Sequence, residues 1–243
     1  MARRKQVDFW SIENLRSLGF MLLIIMAIRS SVASPYFVPT ASMEPTIKVG
    51  DRLIANKLAY QFKVPFTDFV VSEWGTPKRG DIIVFQYPQD PEIDYVKRVA
   101  AIAGDTVQIK DDILYINGEA QAKEDHNFDR DILEDIYDPK EQKLLYKENL
   151  SGVNHWVLQN RDEFRNFPSK NWPAIGNEPY VVPENAVFCM GDNRDNSLDS
   201  RSWNHVPLSY VRGKAMFVFW SMYHPRDSNW PVFRWNRFGN GLQ

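Results

Sequence analysis

The chain has a single cysteine, Cys189, among 243 residues, which excludes an intrachain disulfide framework. It sits in the apolar run AVFCM, where a packed thiol is expected. The four histidines are widely scattered, and HExxH, CxxC, GxGxxG and the Walker loop are all missing, so neither a metal nor a cofactor is expected. DNRDNSLDS has the look of a calcium loop. Counted from Asp192 or from Asp195, it lacks both the sixth-position glycine and the twelfth-position acid. GxSxG is also absent, which removes the α/β-hydrolase reading. A formal net charge of −2 provides no broad basic field for nucleic acid and no acidic tail. Long apolar runs are scarce too: the longest, Leu18–Ile28, has 11 residues, where a bilayer core wants about 20.

What is present begins at that run. Recruiting Leu15, with Arg16 and Arg29 snorkelling toward headgroups, extends it to an expected transmembrane anchor over 15–33. The alternative is a cleavable signal peptide, since SVA after the run has small residues at alternate positions. Arg3, Arg4 and Lys5 precede the run and only Arg29 follows closely. By the positive-inside rule, 1–14 is then cytoplasmic and the rest lies outside.

Short β-rich runs follow, several introduced by Gly-Asp turns: VGDRLIANKL, RGDIIVFQY and AGDTVQI. The RGD at 79–81 reads as such a turn. TVQIKDDILYING predicts a hairpin closing near Asp111 and Asp112, with a further turn at Asn117-Gly118. From Glu119 the sequence turns polar and resumes strand character only at PYVVPENAVFCM and KAMFVFW. The expected architecture is mostly β: the N-terminal helix, then a core of antiparallel sheets in two parts (34–118 and 179–222), with an inserted β-containing lobe at 119–178. The tail, 223–243, mixes Trp230 and Trp235 with arginines, a composition equally suited to a membrane interface or to ordinary packing at a chain end.

Two stretches could carry chemistry. In VPTASMEPT, Pro39 and Pro45 restrict the backbone on both sides of Ser42. A nucleophilic serine needs a base, and without a convincing histidine that base would be a lysine kept neutral by apolar burial. In DYVKRVAAIAGD, strand alternation puts Tyr95, Lys97 and Val99 on one face and Val96, Arg98 and Ala100 on the other. Lys97 is therefore the candidate base. Arg98, which does not deprotonate, is expected to face solvent or a carboxylate.

PTASMEPTIKVGD, YVKRVAAIAGD and GDNRDNSLDSR, in that order after the apolar run, resemble the boxes of the type I signal peptidases, membrane-bound Ser/Lys endopeptidases that remove signal peptides from exported proteins. The resemblance covers the chain from the anchor to Trp220 except the inserted lobe. It implies Ser42 as nucleophile and Lys97 as general base. Ser197 is implied to hydrogen-bond and orient the lysine amine, and Thr40 to join the Ser42 N–H in an oxyanion hole. Asp199 and Arg201 form an implied supporting ion pair, with Asp192 nearby. Tyr36, Val38, Met43, Tyr95 and Val96 match pocket-lining positions that read small residues of an AxA-type site. An extended substrate would add to an exposed sheet edge. The implied partners are signal-peptide-bearing preproteins and the lipid bilayer, with no nucleic acid and a monomeric state. The implied location is the outer, or periplasmic, side of a plasma membrane. The chain departs from the family pattern at Thr40-Ala41, where Ser-Gly is common, and at AIAGD, where GLPGD is common; these alanines narrow backbone freedom without deleting a reactive group. Two other readings stand beside this one: a related self-cleaving Ser/Lys protease, and a catalytically silent membrane-anchored β-domain that binds exported chains.

Overall fold

The computed structural model describes residues 11–67, 69–161, 178–225 and 230–242. Arg3, Arg4 and Lys5, on which the expected orientation rests, lie outside the described residues, as does much of the C-terminal part of the expected lobe.

The N-terminal segment folds as helix α1 (Ile12–Ser31), capped by Ser11, whose side chain accepts from Asn14 N. Its apolar side chains, Phe20 and Leu23 among them, are exposed along its length. Among the described residues no helix is long and apolar enough to cross a membrane; of the anchor expected over 15–33, the structure describes this exposed helix. The apolar run Leu18–Ile28 rises about 16 Å along a helix, roughly half the ~30 Å hydrocarbon core, and Glu13, Arg16 and Arg29 fall within the same helix.

The rest is mostly β, as expected. The principal sheet contains β1 (Ala33–Phe37), β2 (Asp51–Asn56), β3 (Ile82–Tyr87), β4 (Asp90–Ile102), β5 (Ala186–Met190), β6 (Val206–Pro207), β7 (Val211–Tyr223) and β8 (Val232–Phe233). Its order is β1-β2-β7-β3-β4-β5-β6, antiparallel throughout, with β8 beside β7. Ile82-Ile83-Val84-Phe85 is apolar at every position because the strand is covered on both faces. Ile82 and Val84 pack with Met43, Ile47, Leu53 and Val218, while Ile83 and Phe85 pack with Val99, Val187, Cys189 and Trp203. Cys189 is fully buried, so the packed-thiol expectation holds, and burial pushes its thiol pKa well above the ordinary range.

Smaller sheets follow the turn signals. Thr106–Lys110 and Ile113–Ile116 form the expected hairpin, turned by Asp111 and Asp112 at φ 49 and 60, a pair of left-handed residues suited to a two-residue connection. Within 119–161, Lys123–Asp125, Lys143–Leu150 and Val153–Asn160 make a three-stranded sheet.

Arg234 and Arg237 do not snorkel. Arg237 donates to both Asp51 carboxylate oxygens, and Arg234 donates to Ser221 Oγ, whose own hydroxyl donates to Asp51. Their burial pins the tail against the loop between β1 and β2, while Trp230, Trp235 and Phe238 stay exposed.

Candidate active site

Residues 38–50 form a closed loop joining β1 to β2, fastened at its neck by Val38 N to Asp51 O and Gly50 N to Val38 O, both 2.9 Å. Although it is a loop, it is almost wholly buried: Ala41, Ser42, Met43, Glu44, Ile47 and Lys48 all lie inside. Met43 and Ile47 anchor it to the core beneath the sheet. Ser42 is thereby presented beside β4, where Lys97 is 3 % exposed.

Lys97 Nζ donates to Ser42 Oγ at 2.7 Å and to Val96 O at 3.0 Å. It lies 5.0 Å from the centroid of the Tyr95 ring. Tyr95 in turn stacks on Tyr87 at 4.6 Å, with Trp203 edge-on to both. This aromatic packing excludes water from the amine. Burial pulls the Lys97 pKa from 10.5 down to about 8, and the charges of Asp199 and Asp192 oppose the fall without reversing it. The Ser42 amide has no hydrogen-bond partner among the described residues, and Thr40 Oγ1 lies 3.4 Å from Ser42 Oγ.

Residues 191–201 brace this pair from behind. Asn193 N donates to Ser42 O at 3.1 Å, and Asn193 Nδ2 donates to Ala41 O at 3.1 Å, so one residue holds two consecutive carbonyls of the serine loop. Gly191 is required by close approach: a Cβ there would sit 2.2 Å from Ser197 Oγ and 2.5 Å from Ser42 O. Asp199 accepts from Gly191 N at 2.9 Å, from Ser197 Oγ at 2.7 Å and from Arg201 Nε and Nη2 at 2.8 Å each. Burial alone would raise its pKa, but Arg201 and these donors hold it below the usual carboxylate range. Arg201 also reaches Arg194 O, and Arg194 pairs with Glu148 from the three-stranded sheet.

Arg98 is as buried as Lys97, at 2 % exposed, but on the opposite side. Its Nε and Nη2 clasp the two oxygens of Asp192 at 2.8 Å each, and Thr46 Oγ1 donates to the same carboxylate at 2.6 Å. The carboxylate branch of the Arg98 expectation is the one realised.

The serine opens onto an apolar groove of about 310 Å³. One wall is Tyr36–Ala41 and the other Ile93–Val96, with Leu53 and Val84 as floor and Asn196 and Leu198 at the rim. β1 pairs only with β2, and β4 pairs with β5 only from Arg98 onward, so both walls offer an unpaired strand edge to the groove among the described residues.

Of the residues singled out in the sequence, Ser42, Lys97, Thr40, Tyr36, Val38, Tyr95 and Val96 all line this groove. Met43 does not. It is 0 % exposed and points into the core, because position 43 lies in a loop where strand alternation gives no guide to direction. Ser197 makes no hydrogen bond to Lys97: its hydroxyl donates to Asp199, a charged acceptor stronger than a neutral amine. Ala41 and Ala101 are buried without adopting positive φ, so neither position demands glycine. Sequence reasoning passed over Asn193, Gly191 and the Leu53, Val84 and Leu198 surfaces of the groove. The first two stand in GDNRDN and were within reach as motif neighbours; the others carry no local signal.

The family described as Signal peptidase, peptidase S26 matches residues 11–220. The chain is 37 % identical over 224 residues to a protein named Signal peptidase I from Pseudomonas aeruginosa, covering 88 % of this chain and 74 % of that one. It is 34 % identical to a Signal peptidase I from Aquifex aeolicus, covering 84 % and 82 %. A crystal structure of a signal peptidase I from Enterococcus faecalis aligns over 58 % of this chain and 97 % of that one, at 24 % identity and a TM-score of 0.35.

Proposed function

Because the chain belongs to the signal peptidase family, peptidase S26, we propose that it is a serine endopeptidase that removes signal peptides from exported preproteins through Ser42 and Lys97. The observation that carries this reading is the 2.7 Å contact between the Ser42 hydroxyl and a lysine buried from water at the wall of an apolar groove. Nucleophile and base stand within hydrogen-bond reach, and desolvation brings the amine toward the neutral form that a base needs.

The reaction then runs as follows. Neutral Lys97 accepts the hydroxyl proton as Ser42 Oγ attacks the scissile carbonyl. The resulting oxyanion lies between the Ser42 N–H and the Thr40 hydroxyl, two donors of a kind whose individual loss costs about a hundredfold or more. Lys97 passes its proton to the leaving amine, and the acyl-enzyme is resolved by water that Lys97 deprotonates. Asp199, Arg201 and Asp192 contact no reacting atom; Asp199, paired with Arg201, holds Gly191 N behind the serine, and Asp192 holds Thr46 of the serine loop. Ser197 supports the Asp199 carboxylate rather than the amine.

The preprotein lies extended between the free edges of β1 and β4, with backbone hydrogen bonds giving affinity. Tyr36, Val38, Tyr95, Val96, Leu53 and Val84 leave shallow apolar room for the small residues of an AxA-type site. The apolar side chains exposed along α1 support membrane association. The work is placed at the outer face of that membrane, where the ends of exported signal peptides emerge.

The test is to incubate the purified chain with a preprotein bearing an AxA site and locate the cut by mass spectrometry, with Ser42→Ala and Lys97→Ala alongside. Cleavage after the second alanine, lost in both variants, is the expected result. An intact preprotein with wild type, or processing retained in Ser42→Ala, overturns the reading.

A further inference from the structure

Where α1 gives way to β1, a second cavity of about 210 Å³ opens, sharing no lining residue with the Ser42 groove. Ser30, Ser31, Lys57, Lys63, Phe66 and Arg212 contribute to its walls. Three of these are cations. Burial, then the charges of Arg212, Lys63 and Arg29, hold Lys57 below an ordinary lysine, and Asp94 acts the other way. Asp94 lies 3.9 Å from Arg212 Nε.

The cavity also holds a polar group that the fold does not satisfy. Ser31 is 3 % exposed, and its hydroxyl has no partner among the described residues. Its neighbours are engaged elsewhere with part of their capacity: Lys57 Nζ donates one bond to Ser30 O at 3.0 Å, and Ser30 Oγ accepts from Phe66 N at 2.8 Å. That last bond holds Phe66 at a φ of 65, an uncommon conformation for a bulky residue, at the mouth of the cavity. A donor hydroxyl buried among converging cations is completed by an anion with several acceptor oxygens.

What surrounds the cavity narrows the choice of anion. From the Ser30 end α1 leads away with apolar side chains exposed along its length, Leu23 and Met26 among them, and the Gln61–Lys63 and Val70–Glu73 hairpin exposes Phe66, Phe69, Val71 and Trp74. A free phosphate has no use for such flanks. A molecule with a phosphate at one end and hydrocarbon at the other does.

We propose that this cavity binds the phosphate of an anionic glycerophospholipid, with Arg212, Lys63 and Lys57 meeting its oxygens, Ser31 donating to it, and the acyl chains lying along α1. The site rests on the membrane association proposed above and adds headgroup selection to it. It also fixes the β-core at the end of α1 against the interface, which orients the Ser42 groove relative to the bilayer.

The experiment measures binding of the full chain to vesicles of phosphatidylcholine alone and of phosphatidylcholine with phosphatidylglycerol, for wild type, Lys63→Gln/Arg212→Gln, and a control pair, Lys78→Gln/Lys110→Gln, which removes the same charge elsewhere. Basic groups near an anionic surface contribute about fivefold in binding each. Wild type is expected to prefer the phosphatidylglycerol vesicles by tenfold or more. The cavity pair should lose most of that preference and the control pair less than threefold. Equal losses in both pairs would show diffuse charge attraction and overturn the site. Saturable binding of inorganic phosphate at low millimolar concentration, measured by calorimetry and lost in the cavity pair, would overturn the lipid assignment. Failure to bind either vesicle would sink membrane association itself, whereas equal binding to both sinks only the headgroup site. Preprotein cleavage in detergent should be unchanged in the cavity pair.

Discussion

Replacing Lys97 by methionine should abolish cleavage and at the same time stabilise the fold at neutral pH. Methionine has nearly the length of lysine and no charge to desolvate. A fall in the folded-state pKa from 10.5 to about 8, at about 1.4 kcal/mol per pH unit, corresponds to about 3 kcal/mol that the fold forgoes by burying the ammonium. The sign follows from proton binding. Folded Lys97 binds its proton less tightly than the unfolded chain does, so the cost is fully present below about pH 8 and is relieved as pH rises from there to 10.5. Against this, methionine forfeits the bonds from Nζ to Ser42 Oγ and Val96 O, about 1 kcal/mol each. The net expectation is a variant more stable than wild type by about 1–2 kcal/mol at pH 6, with a difference that falls by about 2–3 kcal/mol by pH 10 and so changes sign. Urea denaturation of both proteins at the two pH values reads this directly, since all other titrating groups are common to both. A stability difference that stays constant with pH would refute the claim that Lys97 is desolvated.

The same pKa predicts a pH–rate profile: kcat/KM for preprotein cleavage should climb nearly tenfold per pH unit below about 8 and level off above it, as the neutral amine accumulates. A flat profile from pH 6 to 9 would contradict it. Gly191→Ala should slow cleavage about a hundredfold, because a Cβ 2.5 Å from the Ser42 carbonyl forces the serine backbone to move, and should cost about 1–3 kcal/mol by denaturation. A wild-type rate in that variant would show that the loop gives way freely. Asp192→Ala should destabilise by about 3–5 kcal/mol, leaving the Arg98 guanidinium buried and unpaired. Adding Arg98→Met should recover most of that loss in the same urea titration, and no recovery would mean that the ion pair is not the source of the cost.

Several features were readable from local pattern. Gly-Asp turns marked the strand starts, Asp111-Asp112 marked a hairpin, and period-two alternation separated Lys97 from Arg98. These depend on backbone geometry and a few neighbouring side chains. Where reading failed, distant groups intervened. Ser197 was expected on the lysine amine, but Asp199, held in place by Arg201 and Gly191 N, is the better acceptor. Met43 was expected in the pocket, but the fold of the 38–50 loop sends it into the core.

The amino-acid sequence by itself determined where several strands begin, the alternation that sets Lys97 and Arg98 on opposite faces, and the three boxes that supply serine, lysine and their supports. Tertiary structure alone decided that both cations are buried and what differs between them. Arg98 meets Asp192 from 94 positions away and remains a charged structural tie. Lys97 meets a serine hydroxyl and aromatic rings, without a carboxylate in contact. The proton affinity of an amine is set by the water and charge within a few ångströms of it, and that shell is assembled from segments that only folding brings together.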